Sequence, residues 1–173
     1  PKLAFAGAVV ILAHALYKAA LFMVVGIVDH QVHSRDIRVL SGVGRKMPVT
    51  FWIAALAMAS YVGLPPLLGF IAKETALEAF RLAPMGAASV AFFAVVAGSA
   101  VTAAYGARFL WGVFGTKPPS VARVSDSVER PHPMLVAPAA LLVVLTVAFG
   151  LAPQWIGSLV GSAGASLAAP DKA

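Results

Sequence analysis

Residues 49–82 read VTFWIAALAMASYVGLPPLLGFIAKETALEAFRL. An apolar run of this length, without alternation, excludes a strand. It exceeds the roughly 20 residues that a membrane-spanning helix needs. Pro65 and Pro66 interrupt it, inside Gly63-Leu64-Pro65-Pro66-Leu67-Leu68-Gly69-Phe70. Two prolines remove backbone donors and clash with the preceding turn, so the helix breaks there. Irregular backbone at membrane depth is tolerated only where protein or a water-filled cavity satisfies the freed polar groups. Transporters place such breaks at their ion sites. Taken alone, a break reads as a kink that shapes packing. Here Lys73 follows it by seven residues, which reads as a site.

Composition agrees with a membrane origin. The 173 residues are 60% hydrophobic and 12% charged, with no cysteine, and the mean hydropathy is +0.88. Soluble domains run about 45–50% apolar and about 25% charged. Disorder and a disulfide scaffold are excluded. A soluble globule of this size has too little interior to hide so much apolar surface. Without cysteine there is no thiol chemistry. The net charge of +6 does not point to nucleic acid, because a basic patch must lie on a water-exposed face.

Three further apolar segments flank the broken one, at about residues 3–28, 84–114 and 134–160. The expected fold class is therefore all-α integral membrane, with about four transmembrane helices, the second broken at Pro65-Pro66. The chain divides into 1–82, carrying a His/Lys helix, a loop and the broken helix; 83–161, with two further helices and their loop; and a small polar tail, 162–173. The chain starts at Pro1, already apolar, which suggests a piece cut from a longer protein. Pro84 suits a first helical turn, where a missing N–H costs nothing. Loops 29–47 and 115–133 carry Arg35, Arg38, Arg45, Lys46, Lys117, Arg123 and Arg130, against Lys2, Arg81 and Lys172 on the other side. Seven against three places both loops in the cytoplasm. The first segment then runs outside to inside.

Ionisable residues inside the segments carry the functional signal. Lysine at the centre of a spanning helix costs roughly 2.5–3.5 kcal/mol and is a functional candidate by default. Lys18 is too deep in the first segment to snorkel comfortably. His14 lies four residues before it, on the same helical face. Desolvation lowers a lysine pKa towards neutrality, and histidine titrates in that range. The pair reads equally as two stations of a proton relay or as a buried lysine awaiting a carboxylate. Glu74 and Glu78 share a face nearer the outer boundary; a solvated helix end is the simpler reading, proton release or a cation site the sharper one. Asp29, His30 and His33 lie at the loop mouth and read equally as proton collectors or plain loop residues. Two histidines and one aspartate are too few and too loosely spaced for a metal site. Ser99, Thr102, Tyr105 and Arg108 form a polar stripe in the third segment, read as structural, with Gly98 and Gly106 permitting close helix approach. The fourth segment reads as scaffold, its outer interface marked by Gln154 and Trp155.

His14-Ala15-Leu16-Tyr17-Lys18-Ala19-Ala20-Leu21-Phe22 resembles the H-x-x-x-K-A-x-L-F segment of the antiporter-like subunits of Mrp-type cation/proton antiporters and respiratory complex I. Arg35-Asp36-Ile37-Arg38, Leu40-Ser41-Gly42-Val43 and Met47-Pro48 are similar to the loop that follows. The double-proline stretch with Lys73-Glu74 resembles the family's broken helix and its lysine. Gly26-Ile27-Val28-Asp29-His30-Gln31 is most similar to the large A-type subunits of Mrp antiporters. The specific motifs span residues 12–78; beyond them the likeness is looser, chiefly Tyr105, Arg108 and Phe114-Gly115. The resemblance implies part of the second of two inverted five-helix repeats. Lys18 would be the lysine of the second half-channel, His14 its neighbour, and Lys73 the lysine handing protons outwards. Val10 stands where relatives often carry another histidine.

The function expected from this reading is a proton-translocating fragment of a multisubunit monovalent cation/proton antiporter in a bacterial cell membrane. It implies a transporter component, not an enzyme. Its partners would be other membrane subunits, protons, a monovalent cation such as Na+, and lipid, with no nucleic acid. No cofactor or metal is expected, because no phosphate-loop, haem or flavin motif occurs. A proton-pumping subunit of complex I or of a membrane hydrogenase is one alternative. A structural membrane scaffold, whose lysines pair with carboxylates of partners, is another.

Overall fold

The computed structural model describes residues 2–81, 85–118 and 128–160, with side chains at 4–80, 89–118 and 128–160. Among them the regular structure is helical throughout. The helices are α1 (Lys2–Val32), α2 (Val43–Lys46), α3 (Pro48–Val62), α4 (Leu68–Arg81), α5 (Met85–Phe114) and α6 (Pro133–Leu151). Three of them, α1, α5 and α6, are long and apolar enough to cross a membrane. The second, broken segment is shared by α3 and α4, at 15 and 14 residues. The 31 residues of α1 extend about 46 Å, against a hydrocarbon core of about 30 Å.

Each helix end has a local cause. The first helix stops where His33 takes a positive φ of 54° and its amide donates to Asp29 O at 2.8 Å. Asp29 then holds Arg35 at 2.7 Å, turning the chain back. Pro48 opens α3, where its lost donor is harmless. Gly63 closes α3 in the left-handed region at φ 90°, which glycine adopts without steric cost. Pro133 opens α6, and the His132 ring caps it by accepting from the Met134 amide.

The break expected at Pro65-Pro66 is present, between the end of α3 and the start of α4. The two half-helices are joined side by side. Gly69 donates its amide to the buried Ser60 Oγ at 3.1 Å, and a Cβ on Gly69 would strike the Ser60 carbonyl. The closing helix also meets the break: a Cβ on Gly150 would strike Pro66 O and the Leu67 backbone. The fourth segment is thus packed onto the break and against α1, α3 and α4.

Two details differ from expectation. The fourth segment is not one helix to residue 160; α6 ends at Leu151, and residues 154–160 resume helix after a turn. Pro153 lacks an amide to continue the ladder, so the interruption follows from its chemistry. Gly106 does permit close approach, since its Cβ would lie 2.7 Å from Met58 Sδ. Gly98 faces open space. The link at Pro84, loop residues such as Arg123, and the tail lie outside the described residues.

Loop 33–47 is fastened to the end of α5. Gly42 donates to Gly115 O at 2.9 Å, and the Lys117 amide donates to Ser41 Oγ at 2.8 Å. The Lys117 ammonium donates to Ile37 O, to Leu40 O at 2.8 Å and to Gly112 O at 2.7 Å. Gly112 belongs to the last turn of α5, whose carbonyls have no helical donor. A residue counted in the sequence as a loop charge therefore also serves as an internal staple.

Candidate functional site

The chain holds three tyrosines, and all three meet at one place. Tyr17 of α1 stacks on Tyr61 of α3, with centroids 4.7 Å apart and planes at 24°. Tyr105 of α5 meets Tyr61 edge-on at 5.9 Å. Around this cluster stand the ionisable residues singled out in the sequence. Lys18 Nζ sits over the Tyr61 ring, 4.3 Å from its centroid, where the negative face of the ring attracts a cation. His14 Nδ1 lies 3.2 Å from the Tyr17 hydroxyl, and its ring meets Tyr61 edge-on at 6.4 Å. The spacing of four thus brings His14 and Lys18 to one partner, as one helical face requires.

Lys73 reaches the cluster from the other side. Its ammonium donates to Val62 O at 2.5 Å and to Ser99 Oγ at 2.9 Å. Val62 is the last residue of α3, so the lysine satisfies a carbonyl at the helix break. Ser99 in turn donates to Val95 O at 2.8 Å. Gly63 makes the approach feasible, because a Cβ there would lie 2.8 Å from Lys73 Cδ. Gly63 therefore does two things, turning the chain and clearing the lysine's path. Tyr61 thus carries Lys18 on its ring, and the next residue, Val62, holds Lys73 through its carbonyl. Beside Lys18 is a cavity of about 160 Å3 walled by Leu21, Val25, Met58, Tyr61 and Tyr105.

The remaining candidates fall elsewhere. Glu74 and Glu78 are exposed on α4. His30 is exposed, and Asp29 is half-buried and engaged with Arg35. Asp29 and Arg35 line a cavity of about 210 Å3 at the loop end of α1. Farther along the loop, the guanidinium of Arg38 holds the Asp36 carboxyl below its ordinary range. Among the described residues the ion pairs are Arg35–Asp29 and Arg38–Asp36. Neither Lys18 nor Lys73 has a carboxylate partner there.

Sequence reading placed the lysines and missed what joins them. Tyr61 gave a weak signal, two residues before Gly63 at the break. Tyr17 lay inside the His14–Lys18 motif without being singled out. Ser99 and Tyr105 were read as a structural stripe, yet Ser99 bonds Lys73 and Tyr105 meets Tyr61. The other members stay apart: Thr102 bonds Gly98 O of its own helix, and Arg108 is exposed.

A family model described as "NADH:quinone oxidoreductase/Mrp antiporter, TM" matches residues 4–100, which include the whole of this cluster except Tyr105. The chain belongs to this family. The antiporter-family chain is 37% identical over 172 residues to a probable K+/H+ antiporter protein of Rhizobium meliloti, of the A/B type, covering 94% of itself and 16% of that protein. It is 36% identical over 150 residues to the A1 component of a Na+/H+ antiporter of Staphylococcus haemolyticus, covering 81% of itself and 18% of the relative. Among solved structures it is similar to a chain of the Mrp complex from Dietzia sp. DQ12-45-1b, at 40% identity and TM-score 0.70, covering 88% of itself and 16% of that chain. A chain of an archaeal respiratory membrane complex, the membrane-bound sulfane sulfur reductase, matches at 31% identity and TM-score 0.66, over 80% and 22%. The family chain thus spans less than a quarter of each of these relatives. Its apolar helices and its family make it an integral membrane protein.

Proposed function

We propose that this chain is part of the proton-translocating membrane subunit of a multisubunit monovalent cation/proton antiporter. It acts as a transporter component of a bacterial inner membrane and not as an enzyme. Other membrane subunits complete it, and the relatives' names favour Na+ or K+ as the exchanged cation. Loops 29–47 and 115–133 face the cytoplasm in this reading, by the positive-inside count. Residues 1–82 carry the half-channel, and 83–161 supply Ser99, Tyr105 and the helix packed on the break.

The observation that carries the proposal is Lys18 over the Tyr61 ring and Lys73 on the carbonyl of the next residue, Val62, at a broken helix, with no carboxylate neutralising either lysine among the described residues. Uncompensated cations at membrane depth are costly and mark ion pathways. A proton occupying Lys18, with His14 beside it, passes through water to Lys73. Charge on one lysine raises the cost of charge on the other, so the two titrate as a coupled pair. Asp29 and His30 stand at the uptake end, and Glu74 and Glu78 at the release end.

The closer match to the Mrp complex, 40% against 31% identity, favours antiport over a redox-driven pump. A purely structural role for the lysines needs carboxylates from outside the described residues. The test is antiport in inverted vesicles carrying the full complex with Lys18→Ala or Lys73→Ala, checked for assembly. Intact assembly with transport lost is the expected result. Wild-type transport in both variants removes the relay; lost assembly with transport retained in the residual complexes selects the scaffold.

A further inference from the structure

The loop ends of α3 and α6 flank a half-open cavity of about 400 Å3, at the opposite end of α3 from Tyr61. Its size falls in the range of small-molecule sites, roughly 300–1,000 Å3. Lys46 and Arg130 stand at its mouth, and both are exposed. No carboxylate lines it. Pro48 and Pro133, the first residues of α3 and α6, also line it, so two helix N-termini of 15 and 19 residues converge on one space. Such ends carry partial positive charge. The rest of the wall includes apolar side chains: Val49, Val136, Ala137 and Ala140.

Thr50 points to a ligand independently. It lines the same cavity and is 0% exposed. Its hydroxyl is buried without a hydrogen-bond partner among the described residues. A buried unpaired hydroxyl costs free energy that a bound acceptor would recover. A space lined by two cations, an unpaired hydroxyl and apolar side chains matches the parts of a phospholipid. A free phosphate has no use for the apolar wall, and an apolar helix has no use for the cations.

We propose that this cavity binds one anionic phospholipid. The phosphate lies between Lys46 and Arg130 at the two helix ends, a headgroup or ester oxygen accepts from the Thr50 hydroxyl, and an acyl chain follows Val49, Val136 and Ala140. Basic pockets between membrane helices hold anionic headgroups by this combination. The site does not depend on the relay.

The test uses the full-length protein in its complex, purified in mild detergent. Phosphatidylglycerol and phosphatidylethanolamine retained by the protein are counted after extraction, then the delipidated complex is titrated with each. Lys46→Gln with Arg130→Gln should weaken phosphatidylglycerol binding about thirtyfold, since each cation near the membrane surface contributes about fivefold. Phosphatidylethanolamine binding should not change. Ala137→Trp, which adds bulk to the apolar wall and keeps both cations, should also expel the lipid, and it serves where the charge variant fails to assemble. Unchanged phosphatidylglycerol binding in an assembled variant overturns the proposal. So does equal protection of the complex against heat by inorganic phosphate alone.

Discussion

Replacing Lys117 by methionine isolates a single ammonium that ties a loop to a helix end. Methionine keeps most of the apolar stem and removes three donors, those to Ile37 O, Leu40 O and Gly112 O. A hydrogen bond contributes about 1 kcal/mol net, and more when one partner is charged. Lys117 is half-buried, so water partly replaces what is lost, and the lower figure applies. Three bonds then give about 3 kcal/mol. The Gly42–Gly115 backbone bond and the bond from the Lys117 amide to Ser41 Oγ survive, so the loop opens more often without the bundle unfolding. A change of about 3 kcal/mol raises the open population about a hundredfold. Trypsin reads this directly, because Arg35, Arg38, Arg45 and Lys46 lie in the loop. When reclosing outpaces cleavage, the rate follows the open population. In inverted vesicles carrying the full-length protein, cleavage at these sites should accelerate by about that factor. Lys117→Arg should restore part of the protection, since a planar guanidinium cannot aim at three convergent carbonyls as an ammonium does. Equal cleavage of wild type and Lys117→Met would show that the two surviving bonds alone hold the loop.

Two glycines should respond in opposite directions. Gly69→Ala drives a methyl into the Ser60 carbonyl, where backbone cannot yield, and should destabilise by about 1–3 kcal/mol. Gly98→Ala meets open space and should be neutral or gain up to about 1 kcal/mol of helix propensity; thermal unfolding of the solubilised complex ranks the two, and equal midpoints would contradict the close approach. The Asp36 carboxyl is held below its ordinary range by Arg38. Its contribution to loop order is therefore present above the unfolded pKa of about 3.9 and lost as pH falls through the folded value. Hydrogen exchange of loop 33–47 should be faster in Asp36→Asn than in wild type at pH 7, with the difference vanishing in acid.

Much of this molecule is legible in its sequence because membrane solvation imposes simple rules. Long apolar runs must be helices, two adjacent prolines must break one, and loop cations count where they stand. The break and the shared direction of His14 and Lys18 both follow from spacing along a single segment. Side-to-side contacts do not. The helices α5 and α6 are apolar over most of their surface, so helical periodicity gives little clue to which face meets which neighbour. That is why Ser99 and Tyr105 looked like an independent stripe, and why Gly98 and Gly106 looked alike.

Residue order was enough to put the chain in a membrane and to locate the break in its second segment. Those are properties of residues and their immediate neighbours against a low-dielectric surround. Packing in three dimensions was needed to gather Tyr17, Tyr61 and Tyr105 from three helices around Lys18. The same holds for Lys73 reaching back to Val62 across Gly63, and for Lys117 turning inward to carbonyls 77 and 80 residues away. One cause is common to all three. Each side chain is fixed by carbonyls, rings or hydroxyls from other segments, and their approach is set by where small residues let backbones close together.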